Sequence, residues 1–260
     1  MADWVASDAD GDGTVIIPAA ELALRRKLGS TLLAFVDYHA MDVAGGNDLD
    51  TNGRLQSFND ECGNAFEPVI SNTVATQLIA WVNEHFGLSL ASSRGVFRST
   101  SNVFPTSGSF TLFALFSQTL GSDGWPFANG DSSTPVSAGF KTTTNGIRVN
   151  WGTDGEYTVT GGTNVGDPVF LVLSYDASVN KARVFFNNAK IDERTKSFPN
   201  ITDRRLYVGG WRNAASVTAV VEGTICCVGL LSEAGDGGSA LMDILYQFAE
   251  DRAAEGWPTP

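Results

Sequence analysis

The sequence predicts an all-β fold in which two antiparallel sheets stack as a sandwich, and three observations support this prediction. Short apolar runs alternate with clusters of Asn, Asp and Gly through most of the 260 residues. Several runs are apolar at every position, which is typical of strands buried on both faces. Hydrophobic residues make up 43% of the chain and include 16 Phe and 6 Trp, enough to fill a dry core between two sheets.

The first 29 residues differ from the rest, and we expect them to form an arm with a short helix ahead of a domain spanning 30–260. An acidic run of Gly and Asp extends over residues 8–13. Pro18 suits a first helical position, and Gly29 suits the residue that ends a helix. The opening residues lack the basic and apolar regions of a signal peptide, so we expect a protein made in the cytoplasm.

Strand-like runs begin at Ser30 and continue to a helix at the end of the chain. Residues 73–90 fit either a helix or a strand, and the spacing of their apolar residues favours a helix. The final helix has Ser239 as a candidate cap, and Gly256 lies where it should stop. The strongest predicted strands between these two segments are SFTLFALFSQ, NGIRVNWG, EYTVTG, PVFLVLSYD, KARVFFN, RLYVGGW, VTAVVEG and TICCVGLLS.

Three segments, in their order along the chain, carry a resemblance to a known superfamily. The first segment combines a strand with an aromatic-x-Asp-x-x-Gly-Asn turn, in LLAFVDYHAMD and LQSFNDECGNAFEP. The second joins a Ser-Tyr-Asp strand end to an aromatic strand and an Asn-Asn turn, in VFLVLSYDASVNKARVFFNNAKI. The third has the strand RRLYVGGW followed by TICCVGLLSEA. This order resembles the concanavalin A-like lectin/glucanase superfamily in its LamG-like form, particularly the single-domain versions in tailed-phage structural proteins. The resemblance covers residues 30–257 and implies a jelly-roll sandwich.

Charge and resemblance together favour a structural or binding role. The net charge of −12 and the pI near 4.5 disfavour nucleic-acid and anionic-lipid partners, and no apolar run is long enough to insert into a membrane. The resemblance implies a tailed-phage virion protein, a capsid decoration or tail-associated subunit on the virion surface. Its arm would dock to the major capsid or tail protein, and its copies would form a homo-oligomer. The alternative is a glycan-binding lectin module that recognises a cell-surface glycan.

Catalysis is not expected, and a glycoside hydrolase of the same fold is the third possibility. The resemblance implies that a catalytic member would carry E-x-D-x-x-E on one strand, with the carboxylates on one face. That motif is missing. The adjacent pairs Asp60-Glu61 and Asp192-Glu193 would point to opposite faces of a strand.

The acidic run near the start of the chain resembles the beginning of a calcium loop. Asp8, Asp10 and Asp12 have the spacing of the first three ligands of such a loop, but Ala19 stands where the twelfth ligand belongs. Calcium is therefore a candidate cofactor, and an acidic arm without a cation is the alternative.

Six residues in predicted loops and strand ends are candidates for carbohydrate binding. An aromatic ring can cover the apolar face of a sugar while Asp and Asn side chains bond to its hydroxyls. The alternative is that the Trp residues pack the sandwich or a subunit interface. The six candidates are Asp123, Trp125, Asn129, Asp131, Trp151 and Trp211.

Overall fold

The structure is a computed structural model, and strands are numbered in chain order. It describes residues 5–7, 14–16, 29–37, 57–69, 88–90, 96–118, 124–129, 138–143, 146–159, 168–213, 216–218 and 223–254.

Two antiparallel sheets, here called sheet A and sheet B, form a sandwich that confirms the predicted fold class. In the described part of the chain, sheet A has eight strands and sheet B has seven. From edge to edge, sheet A contains β12 (Glu156–Val159), β11 (Gly146–Trp151), β10 (Ala138–Thr143), β9 (Gly124–Asn129), β16 (Leu206–Val208), β7 (Phe97–Ser99), β5 (Ala65–Pro68) and β4 (Phe58–Asn59). Sheet B contains β15 (Ala189–Thr195), β14 (Lys181–Phe186), β13 (Pro168–Asp176), β8 (Phe110–Gln118), β19 (Gly223–Leu231) and β3 (Leu32–Asp37), with β6 (Leu88–Leu90) also paired to β19.

Two short hairpins stand beside these sheets. β1 (Val5–Ser7) pairs with β2 (Thr14–Ile16), and β17 (Trp211–Asn213) pairs with β18 (Ser216–Thr218). The helix predicted for the arm lies outside the described residues. The helix favoured for residues 73–90 is wrong for residues 88–90, which form β6 and pair with β19. Residues 73–87 lie outside the described residues.

The apolar faces of the two sheets meet in one core. Strand alternation sends every second side chain inward, so Phe97 of sheet A and Leu171 of sheet B are both fully buried. The predicted hairpin around Ser-Tyr-Asp is confirmed as β13 and β14. Asn187 and Asn188 make the tight turn that follows, with φ angles of 41° and 70°, a region that Asn tolerates better than most residues.

The C-terminal helix α1 (Ala240–Ala254) covers the outer face of sheet B. The Ser239 hydroxyl accepts a hydrogen bond from the Met242 N–H (3.3 Å), which confirms the predicted cap. Phe248 packs against Phe35 of β3 with ring centroids 5.7 Å apart. The layers therefore follow the order helix, sheet B, core and sheet A.

The predicted aromatic-x-Asp-x-x-Gly-Asn turn joins the edges of the two sheets. Asp60 accepts hydrogen bonds from the backbone N–H groups of Phe35 (3.0 Å) and Asn64 (2.7 Å). Burial raises the pKa of Asp60, and these hydrogen bonds act in the opposite direction. Since Phe35 belongs to sheet B and Asn64 leads into sheet A, the Asp60 carboxyl links the two sheets at one edge of the sandwich.

Candidate functional site

Two connections meet at one end of sheet A because neighbouring strands run antiparallel. β7 ends at Ser99 and β16 starts at Leu206, and the Leu206 N–H donates to the Ser99 hydroxyl (2.9 Å). β9 ends at Asn129, directly opposite Leu206. The segments that follow Ser99 and precede Leu206 therefore lie side by side.

These two segments line a shallow cleft of about 700 Å³ that is wide open to solvent. Backbone contacts hold them together: the Arg204 N–H donates to Oδ1 of Asn102 (3.1 Å), and the Arg204 carbonyl accepts from the Phe104 N–H (2.9 Å). The walls are polar on both sides. The lining residues are Thr100, Ser101, Asn102, Thr202, Asp203 and Arg205.

An ion pair supplies the charge in the cleft. Arg205 donates to Asp203 from its backbone N–H (3.0 Å) and from Nε (2.9 Å to Oδ1), and Nη2 also reaches Oδ2. Burial acts to raise the pKa of Asp203, but the hydrogen bonds and charge of Arg205 hold it below its usual value. Asp203 is therefore ionised at neutral pH.

A second cation lies beside this pair on sheet A. Arg98 of β7 sits opposite Glu67 of β5 and Tyr207 of β16, and it makes an ion pair with Glu67. Burial acts to lower the pKa of Arg98, but hydrogen bonds with Glu67 and Tyr207 raise it. The charges of Arg98 and Arg205 also act on each other. The cleft is thus continuous with a row of polar side chains across sheet A.

The side chains of the cleft can bind a polar ligand through several kinds of group. The cleft presents hydroxyl, amide, carboxylate and guanidinium groups, which together donate and accept hydrogen bonds in several directions. Glycoside hydrolysis uses two carboxyl groups, one on each side of the bond. Among the described residues that line the cleft, Asp203 supplies the only carboxylate, and Arg205 engages both of its oxygens.

Three of the six predicted carbohydrate-binding residues are buried, which corrects the prediction for them. Trp151 is 1% exposed; its ring stacks on Phe110 and its Nε1–H donates to the Ser197 carbonyl (2.8 Å). Trp125 is also buried, and the Asn129 amide oxygen accepts from the Ala138 N–H. A buried ring offers no face to a sugar, and Trp151 belongs to the core between the two sheets.

The remaining predicted ligands lie outside what the structure describes. Asp123 and Asp131 belong to undescribed connections, and Trp211 begins β17 with a side chain that is not among the described ones. The calcium candidates Asp8, Asp10 and Asp12 also lie outside the described residues.

The described residues contain no group of three or more His, Cys, Asp or Glu side chains placed to hold a metal ion. Within the same ranges, no helix combines the length and the hydropathy needed to cross a membrane.

Little in the sequence indicates the cleft. Its two walls come from RSTSN at 98–102 and TDRR at 202–205, polar runs that each adjoin a strand and are about a hundred residues apart. A polar run beside a strand is also what an ordinary loop looks like. Only the pairing of β7 with β16 brings the two runs together.

No protein-family model matches the chain, and no curated protein matches it. Solved structures do share its fold. A Trypanosoma rangeli sialidase in complex with 2,3-difluorosialic acid is 14% identical, covers 95% of this chain and 35% of its own, and superposes with a TM-score of 0.55. The same sialidase with 2,3-difluoro-KDN gives 13% identity, 85% and 33% coverage, and a TM-score of 0.55.

A third neighbour is the CBM40 of the Ruminococcus gnavus IT-sialidase bound to α2,3 sialyllactose, with 13% identity, 53% and 82% coverage, and a TM-score of 0.44. The chain spans about a third of the length of the two sialidase chains. The two sialidase superpositions support the β-sandwich fold of this chain.

Proposed function

We propose that this chain is a non-enzymatic carbohydrate-binding module whose sugar site is the cleft lined by Thr100, Asn102, Asp203 and Arg205. The observation that carries the proposal is the cleft itself, a wide-open space of about 700 Å³ with polar side chains from two segments along it. A carbohydrate presents many hydroxyls in fixed directions. Side chains that are already oriented can bond to them with little further ordering.

The ion pair in the cleft suits this role. Asp203 and Arg205 hold each other in place through three side-chain contacts, so neither has to be ordered when a ligand arrives. A carboxylate can accept from two adjacent hydroxyls, and a guanidinium can donate to hydroxyl or carboxylate oxygens. The cleft therefore fits neutral sugars and also acidic ones.

The fold neighbours guide the choice of ligands. The Trypanosoma rangeli sialidase has a structure in complex with sialic acid, and the Ruminococcus gnavus module has one with sialyllactose. Because these likenesses concern the fold alone, they identify no sugar for this chain. They do make sialylated glycans a necessary part of any panel.

A glycan array with the intact chain tests the proposal. We expect binding to a defined set of glycans, and we expect the double variant Asp203→Asn, Arg205→Gln to lose at least about tenfold in affinity when the charge-assisted hydrogen bonds are removed. A matched control is Arg148→Gln, Glu156→Gln, which removes an exposed ion pair (3.3 Å) on the same sheet but outside the cleft lining. That control should bind within about twofold of the unmodified chain.

Two results would count against the proposal: no glycan bound by the intact chain, or equal binding by the cleft variant. Repeating the array with calcium and with a chelator tests the calcium prediction for Asp8, Asp10 and Asp12. If glycan binding depends on calcium and persists in the cleft variant, the binding site would be assigned to the acidic run at residues 8–13 instead of the cleft.

A role on the surface of a tailed-phage virion is a second proposal, compatible with the first. It rests on the LamG-like sequence resemblance and on the arm, residues 1–29. In the described part of that arm, β1 and β2 pair with each other rather than with sheet A or B, as expected of a segment that serves a partner. Deleting residues 1–29 should abolish attachment to purified particles or a defined oligomer. Attachment by the shortened chain would contradict this role.

A further inference from the structure

A smaller cavity lies on the opposite side of the molecule, between α1 and the outer face of sheet B. It measures about 180 Å³ and is partly closed. Its floor is apolar, with Leu115 and Phe170 from the sheet and Ala249 from the helix, all less than 8% exposed. Polar groups stand at its mouth, where the Asn188 turn and the exposed Glu250 face each other.

The helix side of the cavity is lined by a small residue. Leu245, Phe248 and Ala249 belong to one apolar cluster with sheet B, and Ala249 is the member of these three that lines the cavity. The opposite wall is fixed, since the Asn187 N–H donates to the Phe170 carbonyl (2.9 Å) and the Phe170 N–H donates to Oδ1 of Asn187 (2.8 Å). The space is therefore a built feature of the interface, held open by hydrogen bonds.

A buried hydroxyl in the wall has no hydrogen-bond partner among the described residues. Tyr246 is 8% exposed, lines the cavity, and packs its ring against Phe170 with centroids 5.7 Å apart. Its OH group is buried and makes no hydrogen bond within the described part of the chain. Burial raises the pKa of Tyr246, so the group stays protonated and able to donate at neutral pH. Buried hydroxyls without a partner are unfavourable and rare, and a ligand can supply the missing bond.

We propose that this cavity binds a small neutral molecule with one aromatic ring and one hydroxyl, the hydroxyl pairing with Tyr246. An apolar cavity of about 150 Å³ is enough to hold benzene, so 180 Å³ accommodates such a ring. The ring lies between Phe170 and Ala249. The carboxylate of Glu250 at the mouth and the net charge of −12 both disfavour an anionic ligand.

Phenol and toluene are matched probes of similar size, because toluene has a methyl group in place of the hydroxyl that the proposal uses. Titrations followed by calorimetry and by saturation-transfer NMR should show both binding to the intact chain. Tyr246→Phe should lower the affinity for phenol about tenfold and leave that for toluene within about twofold, since toluene makes no hydrogen bond. Benzoate should bind more weakly than phenol.

Ala249→Leu is the second variant and fills the cavity. It should abolish binding of both probes, with its thermal unfolding recorded to show that the domain remains folded. Asp203→Asn, Arg205→Gln should leave phenol binding unchanged, which separates this site from the sugar cleft. Failure of phenol to bind the intact chain, an equal response of the two probes to Tyr246→Phe, or unchanged binding to Ala249→Leu would each overturn the proposal.

Discussion

Two Asp–Arg pairs in this molecule have the same chemistry and very different surroundings. Asp37 of β3 and Arg252 of α1 meet at 2.7 Å with side chains 0% and 2% exposed. Asp203 and Arg205 meet in the sheet A cleft with side chains 17% and 27% exposed. The first pair joins elements 215 residues apart, and the second joins residues two apart. The first pair is buried and links two elements that are far apart in the sequence. The second pair is partly exposed within one short segment, so a ligand can reach it.

Polar contacts at the other end of α1 show the same contrast. Near the start of α1, the Gly235 N–H donates to the Ser174 hydroxyl (2.7 Å), and the Thr111 hydroxyl donates to the Glu233 carbonyl (2.7 Å). These hydroxyls of sheet B bond to the segment that precedes α1, and the Asp37–Arg252 pair holds the end of the helix. In the cleft, hydroxyl and amide groups face open space. Polar groups that face solvent in a shaped cleft are the ones available for recognition.

The largest expected effect comes from breaking the buried pair. Arg252→Met leaves the Asp37 carboxylate buried beside an apolar side chain, so the free energy of unfolding should fall by about 3–5 kcal/mol in urea titrations. Asp37→Leu combined with Arg252→Met removes both charges and should lose less than the single variant. Glycan binding by the surviving folded fraction should be unchanged. A loss below about 1 kcal/mol for Arg252→Met would show that the pair is no tertiary link.

The smallest expected effect on stability comes from the cleft, and it depends on pH. Because the pKa of Asp203 is lowered in the fold, its ionised form adds stability above the ordinary Asp pKa of about 3.9, and this contribution disappears as pH falls through the lower folded value. Asp203→Asn should therefore lose less than about 1 kcal/mol at pH 7 and match the unmodified chain in strong acid.

Binding should follow the same ionisation. Affinity for a glycan found on the array should hold from pH 7 down to about pH 4 and fall below that, as Asp203 becomes protonated. Asp203→Asn should bind more weakly and without this acid transition. If the affinity already fell by half near pH 6, a group other than Asp203 would control the pH dependence of binding.

Much of the fold follows from local sequence. The buried runs in β8 and β13, the Asn187-Asn188 turn and the Ser239 cap are short-range signals, because strand alternation, turn chemistry and helix capping depend on neighbouring residues. The site does not follow in this way. Trp151 in sequence resembled a sugar-binding platform, yet it lies in the core against Phe110 and Tyr175, since an aromatic ring at a strand end can face either way.

Local sequence signals are therefore enough to predict an all-β sandwich with a capped C-terminal helix, a net negative charge and tight turns between strands. The tertiary structure is needed to show which polar segments share the end of sheet A, that Trp125 and Trp151 are buried, and which Asp–Arg pair is buried. The physical reason is that antiparallel pairing places residues about a hundred positions apart in contact, as β7 and β16 do. Local propensity does not indicate which distant segments pair, whereas the register of the sheet determines which residues lie opposite each other.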